Sequence, residues 1–200
     1  MPNEIVIATR NADKGREIAA ILDGIGINVR TLVEFPDAPE VIEDGTTCEA
    51  NAVKKALSAA KHTGLVAVAD DTGLMVDVLG GRPGVYAARY AGEHATYEDN
   101  WRKLLQELNS VPRALRTARF MTIAAVARPD REKTEIVEGV LDGIIAEAPA
   151  GDRGFGYDPI FFVPELERTL AQLDPDEKNR FSHRARAFAK VRQILSRGDF

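Results

Sequence analysis

Residues 67–78, AVADDTGLMVDV, set the frame of the chain. The apolar run at 65–69 reads as a buried strand that ends in two adjacent carboxylates, Asp70 and Asp71. Thr72 and Gly73 follow, and then a second apolar run begins. Neighbouring side chains of a strand point to opposite faces, so the two acids share a direction only where the chain turns; Thr72-Gly73 reads as that turn. Converging carboxylates need cations, a shared proton or water. A divalent metal with a phosphate substrate meets that need, and so does a solvated surface turn.

Upstream, residues 4–8 (EIVIA) read as a buried strand. It is followed by the polar turn Thr9, Arg10, Asn11, Ala12, Asp13, Lys14 and a helix with Ile18, Ala19, Ile21 and Leu22 on its apolar side. Asn11 is a good helix cap. A strand, a polar turn and a helix start aim backbone N–H groups and a positive helix end at whatever lies above the strand, which favours phosphate, and Lys14 adds a mobile cation. The same arrangement is also ordinary architecture. A short strand at 28–32 leads to a loop holding Pro36, Pro39, Asp37, Glu40, Glu43 and Asp44. Thr46 or Thr47 then caps a helix running to about His62. Its buried side carries Ala52, Val53, Ala56, Leu57 and Ala60, while Asn51, Lys55 and Ser58 share another face.

Downstream, residues 74–79 read as a further strand and residues 80–86 (GGRPGVY) as a tight Gly-rich loop. A helix from Thr96 to about Leu108 carries Trp101, Leu104 and Leu105. Strands at 117–126 and 134–146 read as a hairpin, so within one domain of residues 1–200 a second lobe is expected at roughly 116–165. The Gly-rich loop at 149–159 sets Phe155 and Tyr157 among glycines, a composition that lets backbone approach a planar ring while an aromatic covers it. Ser182 reads as the cap of a last helix, placing His183 and Arg184 in its first turn. Cations there call for an anion.

The chain has 200 residues, 44% hydrophobic and 28% charged, with a net charge of -5 and no basic block. That composition suits a soluble globular protein with a small-molecule partner and excludes a generic nucleic-acid or membrane-surface binder. A single cysteine, Cys48, rules out an intrachain disulfide and reads as an apolar filler. The start MPNEIVIA lacks a basic segment leading into a long apolar one, and no apolar run reaches membrane length, so a cytoplasmic setting is expected.

An acidic pair, a phosphate-type turn with Lys14, further cations at Lys55, Lys178 and Arg184, and a Gly-aromatic loop together fit a nucleotide with several phosphates plus magnesium. The stretches IATRNADKGREI, NAVKKA, ADDTGLMVDVLGGRPGVYAARYAG, GFGYDPIF and EKNRFSHR, in that order over most of the chain, closely resemble the inosine triphosphate pyrophosphatase family. The resemblance implies an elongated α/β protein with a central mixed sheet flanked by helices and a cleft between two lobes, commonly a homodimer. It implies Mg2+-dependent hydrolysis of ITP, dITP and XTP to the monophosphate and pyrophosphate. By the same resemblance Thr9, Asn11 and Lys14, within the turn 9–14, would hold phosphate, and Lys55 would contact it. Asp71 would be base and metal ligand, with Glu43 a second metal ligand and Asp70 a supporting charge. Thr72 would touch substrate, Phe155, Gly156, Tyr157 and Asp158 would enclose the base, and Lys178, His183 and Arg184 would complete its recognition.

Besides Thr72, which keeps the hydroxyl of the family's more common Ser, three positions depart from the family pattern. Arg10 stands where the family usually has Gly, which either reshapes the turn or adds a phosphate contact, and Cys48 and Ala50 replace its usual Phe and Glu. The remaining readings are a pyrophosphatase for pyrimidine or modified nucleotides, and a nucleotide sensor without turnover. Against the sensor, a pure binder has no need of a water-activating carboxylate beside Lys14.

Overall fold

The computed structural model describes residues 2–197. Strands form where β-branched and apolar residues run together, and helices where the 3.6-residue apolar period is capped. The chain begins with β1 (Glu4–Ile7), α1 (Ala12–Leu22) and β2 (Asn28–Thr31). Then α2 (Cys48–Thr63) starts at Thr47, whose hydroxyl accepts the Ala50 N–H at 3.1 Å, and stops at Gly64, which takes the left-handed φ of 70° that ends a helix without Cβ strain. The strand β3 (Val66–Val76) and short β4 (Pro83–Gly84) precede α3 (Tyr97–Glu107), which a Thr96/Asp99 capping box opens. Next come β5 (Thr117–Ala127), β6 (Thr134–Ile145), β7 (Phe161–Val163) and β8 (Arg168–Thr169). Two helices end the chain, α4 (Pro175–Phe181) and α5 (His183–Arg197), parted by Ser182 in an extended conformation.

The strands make one mixed sheet in the order β2-β1-β3-β5-β6-β7-β8, with β4 on β3. β1 pairs in parallel with β2 and β3, while the β3/β4, β6/β7 and β7/β8 pairs are antiparallel. This is the α/β mixed sheet expected from the sequence. One local expectation fails: Thr72-Gly73 is not a turn. β3 passes straight through it, because Leu74 and Val76 are fully buried and Leu74 and Met75 pair with Gly84 and Pro83. Burial and pairing on the far side outweigh the local turn preference of Thr-Gly.

By compactness the chain divides into two units. The first is formed by the described residues of Met1–Asp71, Thr122–Gly139 and His183–Phe200, the second by Thr72–Met121 and Val140–Ser182. In the first unit, Ile5, Ile7, Val68, Ala124 and Val126 of the strands pack with Ile18, Ile21 and Leu22 of α1 and with Phe188, Val191, Ile194 and Leu195 of α5. Each such aliphatic side chain contributes roughly 1.5–3 kcal/mol when fully buried. In the second, Leu74, Phe120, Leu141, Ile145, Phe161 and Val163 pack with Leu104 of α3 and with Leu108, which caps its end, the Phe120 and Phe161 ring centres lying 4.5 Å apart. There the buried Arg116 donates to the carbonyls of Leu108, Val111 and Ala146, which satisfies the end of α3.

Gly139 of β6 lets α5 approach the sheet at backbone distance. A Cβ there would overlap the His183 carbonyl oxygen and the Ala187 nitrogen, both backbone atoms that cannot swing away. Gly139→Ala is therefore expected to destabilise the protein by about 1–3 kcal/mol. Urea unfolding of the variant beside wild type measures it, and an unchanged midpoint would contradict the contact.

Candidate active site

In the first unit, β1 runs into Thr9 and α1 begins at Ala12. Asn11 caps that helix, its Oδ1 accepting the N–H groups of Asp13 (3.0 Å) and Lys14 (3.1 Å), while its own N–H donates to Thr9 Oγ1 at 3.2 Å. Those two helix-start N–H groups, expected from the sequence to aim at phosphate, are thus engaged by the cap. The cation of the turn is the Lys14 ammonium. Arg10 is exposed and donates to the Ala38 carbonyl at 2.6 Å, tying this turn to the loop that carries Glu43.

Since β3 does not turn, its alternation sends Asp70 and Asp71 to opposite faces. Asp70 shares its face with Val68, which packs in the α1 and α5 core. It is 1% exposed, with Arg184 Nε at 3.2 Å and Lys14 Nζ at 3.6 Å. Burial alone would push its pKa up, but the charges of Lys14, Arg184 and Lys55 together hold it well below the usual carboxylate range. Arg184, itself buried, also donates to Glu17 of α1 at 2.5 Å. Beside it, His183 Nδ1 lies 2.6 Å from the Thr122 hydroxyl.

Asp71 looks toward α2. Asn51 Nδ2 donates to its Oδ2 at 3.0 Å, and Lys55 Nζ stands 3.9 Å from its Oδ1. Here burial wins over the neighbouring cations, Lys55 foremost, and the pKa is raised. Lys55 also donates to Glu43 Oε2 at 2.7 Å, and the surrounding acids outweigh its burial and keep it protonated. Two adjacent carboxylates are therefore driven apart: Asp70 into a fixed anion, Asp71 into a better base than an ordinary aspartate. The buried Cys48 thiol beside Asp71 is pushed up to about 12, chiefly by burial, which makes it the inert filler expected.

The second unit contains Thr72 and the aromatic loop. Asp158 Oδ2 accepts the Phe155 N–H at 2.8 Å and pairs with the buried Lys178, whose Nζ lies 4.8 Å from the centre of the Phe155 ring. The Tyr97 ring lies tilted by 38° against the same ring, the centroids 5.8 Å apart. Gly154 and Gly156 take left-handed φ angles of 71° and 63°, which fold the loop around Asp158. Tyr157 is a core residue whose hydroxyl donates to the Ala87 carbonyl at 2.8 Å.

Of the residues picked out in sequence, Lys14, Glu43, Lys55, Asp70, Asp71 and Arg184 thus come together in the first unit, and Phe155, Asp158 and Lys178 in the second. Arg184 is engaged by Asp70 and Glu17, and Lys178 by Asp158. The sequence assigns no role to Glu17 or Thr122, and it places Asn51 only on the Lys55 face of its helix. Only Asn51 left a signal, its place one helical turn before Lys55 on the same face.

The opposite pKa directions give opposite stability effects. A carboxyl whose pKa is lowered by folding stabilises the protein above the unfolded value of about 3.9, and the gain is lost as pH falls; a raised one opposes folding at neutral pH. Asp70→Asn should cost about 3–5 kcal/mol at pH 7, removing one of the two carboxylates against which Arg184 is buried, and should flatten the loss of stability on acidification. Asp71→Asn should be at least as stable as wild type at pH 7. Urea unfolding at pH 7, about pH 4 and about pH 2.5 distinguishes the two, since the Asp70 contribution is lost only below about pH 4 and the Asp71 one changes above it.

The Ham1 family model matches residues 5–194. The chain is 54% identical over 188 residues to a dITP/XTP pyrophosphatase of Geobacillus kaustophilus (strain HTA426), covering 94% of this chain and 92% of that protein. It is 53% identical over 191 residues to a dITP/XTP pyrophosphatase of Geobacter sulfurreducens, covering 96% of each. A HAM1 protein structure from Coxiella burnetii superposes with a TM-score of 0.87 at 41% identity, over 97% of this chain and 98% of that one. Sequence and fold agree along almost the whole length, and the chain belongs to the Ham1 family.

Proposed function

We propose that this protein is a nucleoside triphosphate pyrophosphatase that hydrolyses dITP, XTP and ITP to the monophosphate and pyrophosphate, with Mg2+. The observation that carries the reading is the separated acid pair: Asp71 on one face of β3 beside Asn51 and Lys55, and Asp70 on the other, held by Lys14 and Arg184. The relatives named dITP/XTP pyrophosphatase supply the substrate class.

Asp71 orients the water that attacks the α-phosphorus in line and takes its proton, while pyrophosphate leaves. Lys14 and Lys55 neutralise the charge that grows on the phosphate oxygens. The donor set suits magnesium, since Asp71 and Glu43 are hard oxygen ligands gathered around Lys55. Among the described residues no three acidic, His or Cys side chains cluster as a closed metal site, and Mg2+ characteristically takes one or two carboxylates together with substrate phosphates. When bound, Mg2+ would supply electrostatic stabilisation of the pyrophosphate leaving group. The Lys55 ammonium carries three N–H groups, so it can serve a phosphate oxygen while one of them stays with Glu43.

Phe155 offers a ring for stacking and Lys178 a donor for the six-position oxygen of hypoxanthine or xanthine. Adenine would present an amino group there, donor against donor, at a cost of about 1–3 kcal/mol. A panel of triphosphates with pyrophosphate detection should show turnover of dITP and XTP far above ATP, lost with EDTA and restored by Mg2+. Asp71→Asn should lower kcat by roughly 10²- to 10⁴-fold. No release from any purine triphosphate by folded protein with Mg2+ would overturn the reading.

A further inference from the structure

Asn51 is 2% exposed in the first turns of α2 and is engaged at both ends of its amide. Its Nδ2 donates to Asp71 at 3.0 Å, and its Oδ1 accepts the Gly45 N–H at 2.9 Å. A carboxylate only accepts and a backbone N–H only donates, so the two partners fix which end of the amide faces which. Gly45 lies two residues beyond Glu43 in a loop without regular structure. Other ties on that loop include the Lys54 contacts to Ile42 and Asp44, the Lys55 pair with Glu43 and the Arg10 contact to Ala38. Lys54 and Asp44 are largely exposed, and exposed ion pairs hold weakly.

On the proposed reading of this site, which this inference rests on, Lys55 is shared between Glu43 and phosphate during the reaction. We infer that Asn51 is a positioning residue that sets the Asp71 carboxylate and the Glu43 loop with a single amide, keeping both in register when Lys55 also serves phosphate. A second observation points the same way. Gly45 is not among the glycines with left-handed φ, so its backbone would accept another residue, yet a Cβ there would lie 2.5 Å from Asn51 Oδ1. The space over Gly45 is reserved for the Asn51 amide.

Three variants test this with kcat and KM for dITP and with hydrogen exchange at the Gly45 amide. Asn51→Asp keeps the acceptor toward Gly45 and removes the donor toward Asp71. It should lower kcat on the order of 100-fold, the scale of a misplaced reacting group, with KM within about threefold and Gly45 exchange still slow. Asn51→Ala should lose as much kcat and also exchange Gly45 at least about tenfold faster, since the amide has lost its acceptor. Gly45→Ala displaces Asn51 without removing it, so it should lower kcat alone and add nothing to Asn51→Ala. Gly45→Ala carries the test if Asn51→Ala fails to fold. Near wild-type kcat in Asn51→Asp, unchanged Gly45 exchange in Asn51→Ala, or additive losses in the double variant would each overturn the inference. A wild type that turns over no purine triphosphate overturns the function itself, and the inference with it.

Discussion

The alternation of side chains along β3 is the constraint on which the site depends. Two adjacent carboxylates on one face would have to share a proton or a cation. On an unbroken strand they are sent to opposite faces, and each meets a separate set of partners. The face of Asp70 looks to α1 and α5, which bring Lys14 and Arg184; the face of Asp71 looks to α2, which brings Asn51 and Lys55. The sheet thereby solves a charge problem by geometry.

The same burial has opposite results on the two faces because the compensation differs. Asp70 has a guanidinium and an ammonium within 4 Å, and the guanidinium is itself balanced by Glu17. A buried charge with such partners is inexpensive to keep and costly to break. Asp71 has a neutral amide at hydrogen-bond distance and its nearest ammonium at 3.9 Å, too little to offset its burial. Its basicity is the price of that arrangement. Arg184, which the family resemblance connects with the base, is in this chain an anchor that ties the start of α5 to β3 and α1.

Much of the fold was legible in the chain. Asn11, Thr47, Gly64 and Thr96 are local signals, and the helices begin or end on them within a residue or two. The turn expected at Thr72-Gly73 failed because what holds β3 straight, its pairing with Pro83 and Gly84, is not local. The site shows the same division. Lys14, Lys55 and the acid pair belong to motifs, whereas Glu17 meets Arg184 across 167 positions and Thr122 meets His183 across 61. No periodicity or spacing encodes such pairs, and only the closure of α5 on the sheet creates them.

The departures from the family pattern acquire a physical sense once the contacts are known. Arg10 reaches the Ala38 carbonyl, Cys48 is the first residue of α2, and the Ala50 N–H is the one that Thr47 caps. All three lie along the segment that joins the first turn, the Glu43 loop and the start of α2. None alters a cation or carboxylate of the acid pair, and Cys48, beside Asp71, carries a thiol that stays protonated at neutral pH. A change of packing and loop attachment around an unaltered set of charges affects how firmly Glu43 is presented. It leaves untouched the opposition of Asp70 and Asp71 across the strand, from which the proposed chemistry proceeds.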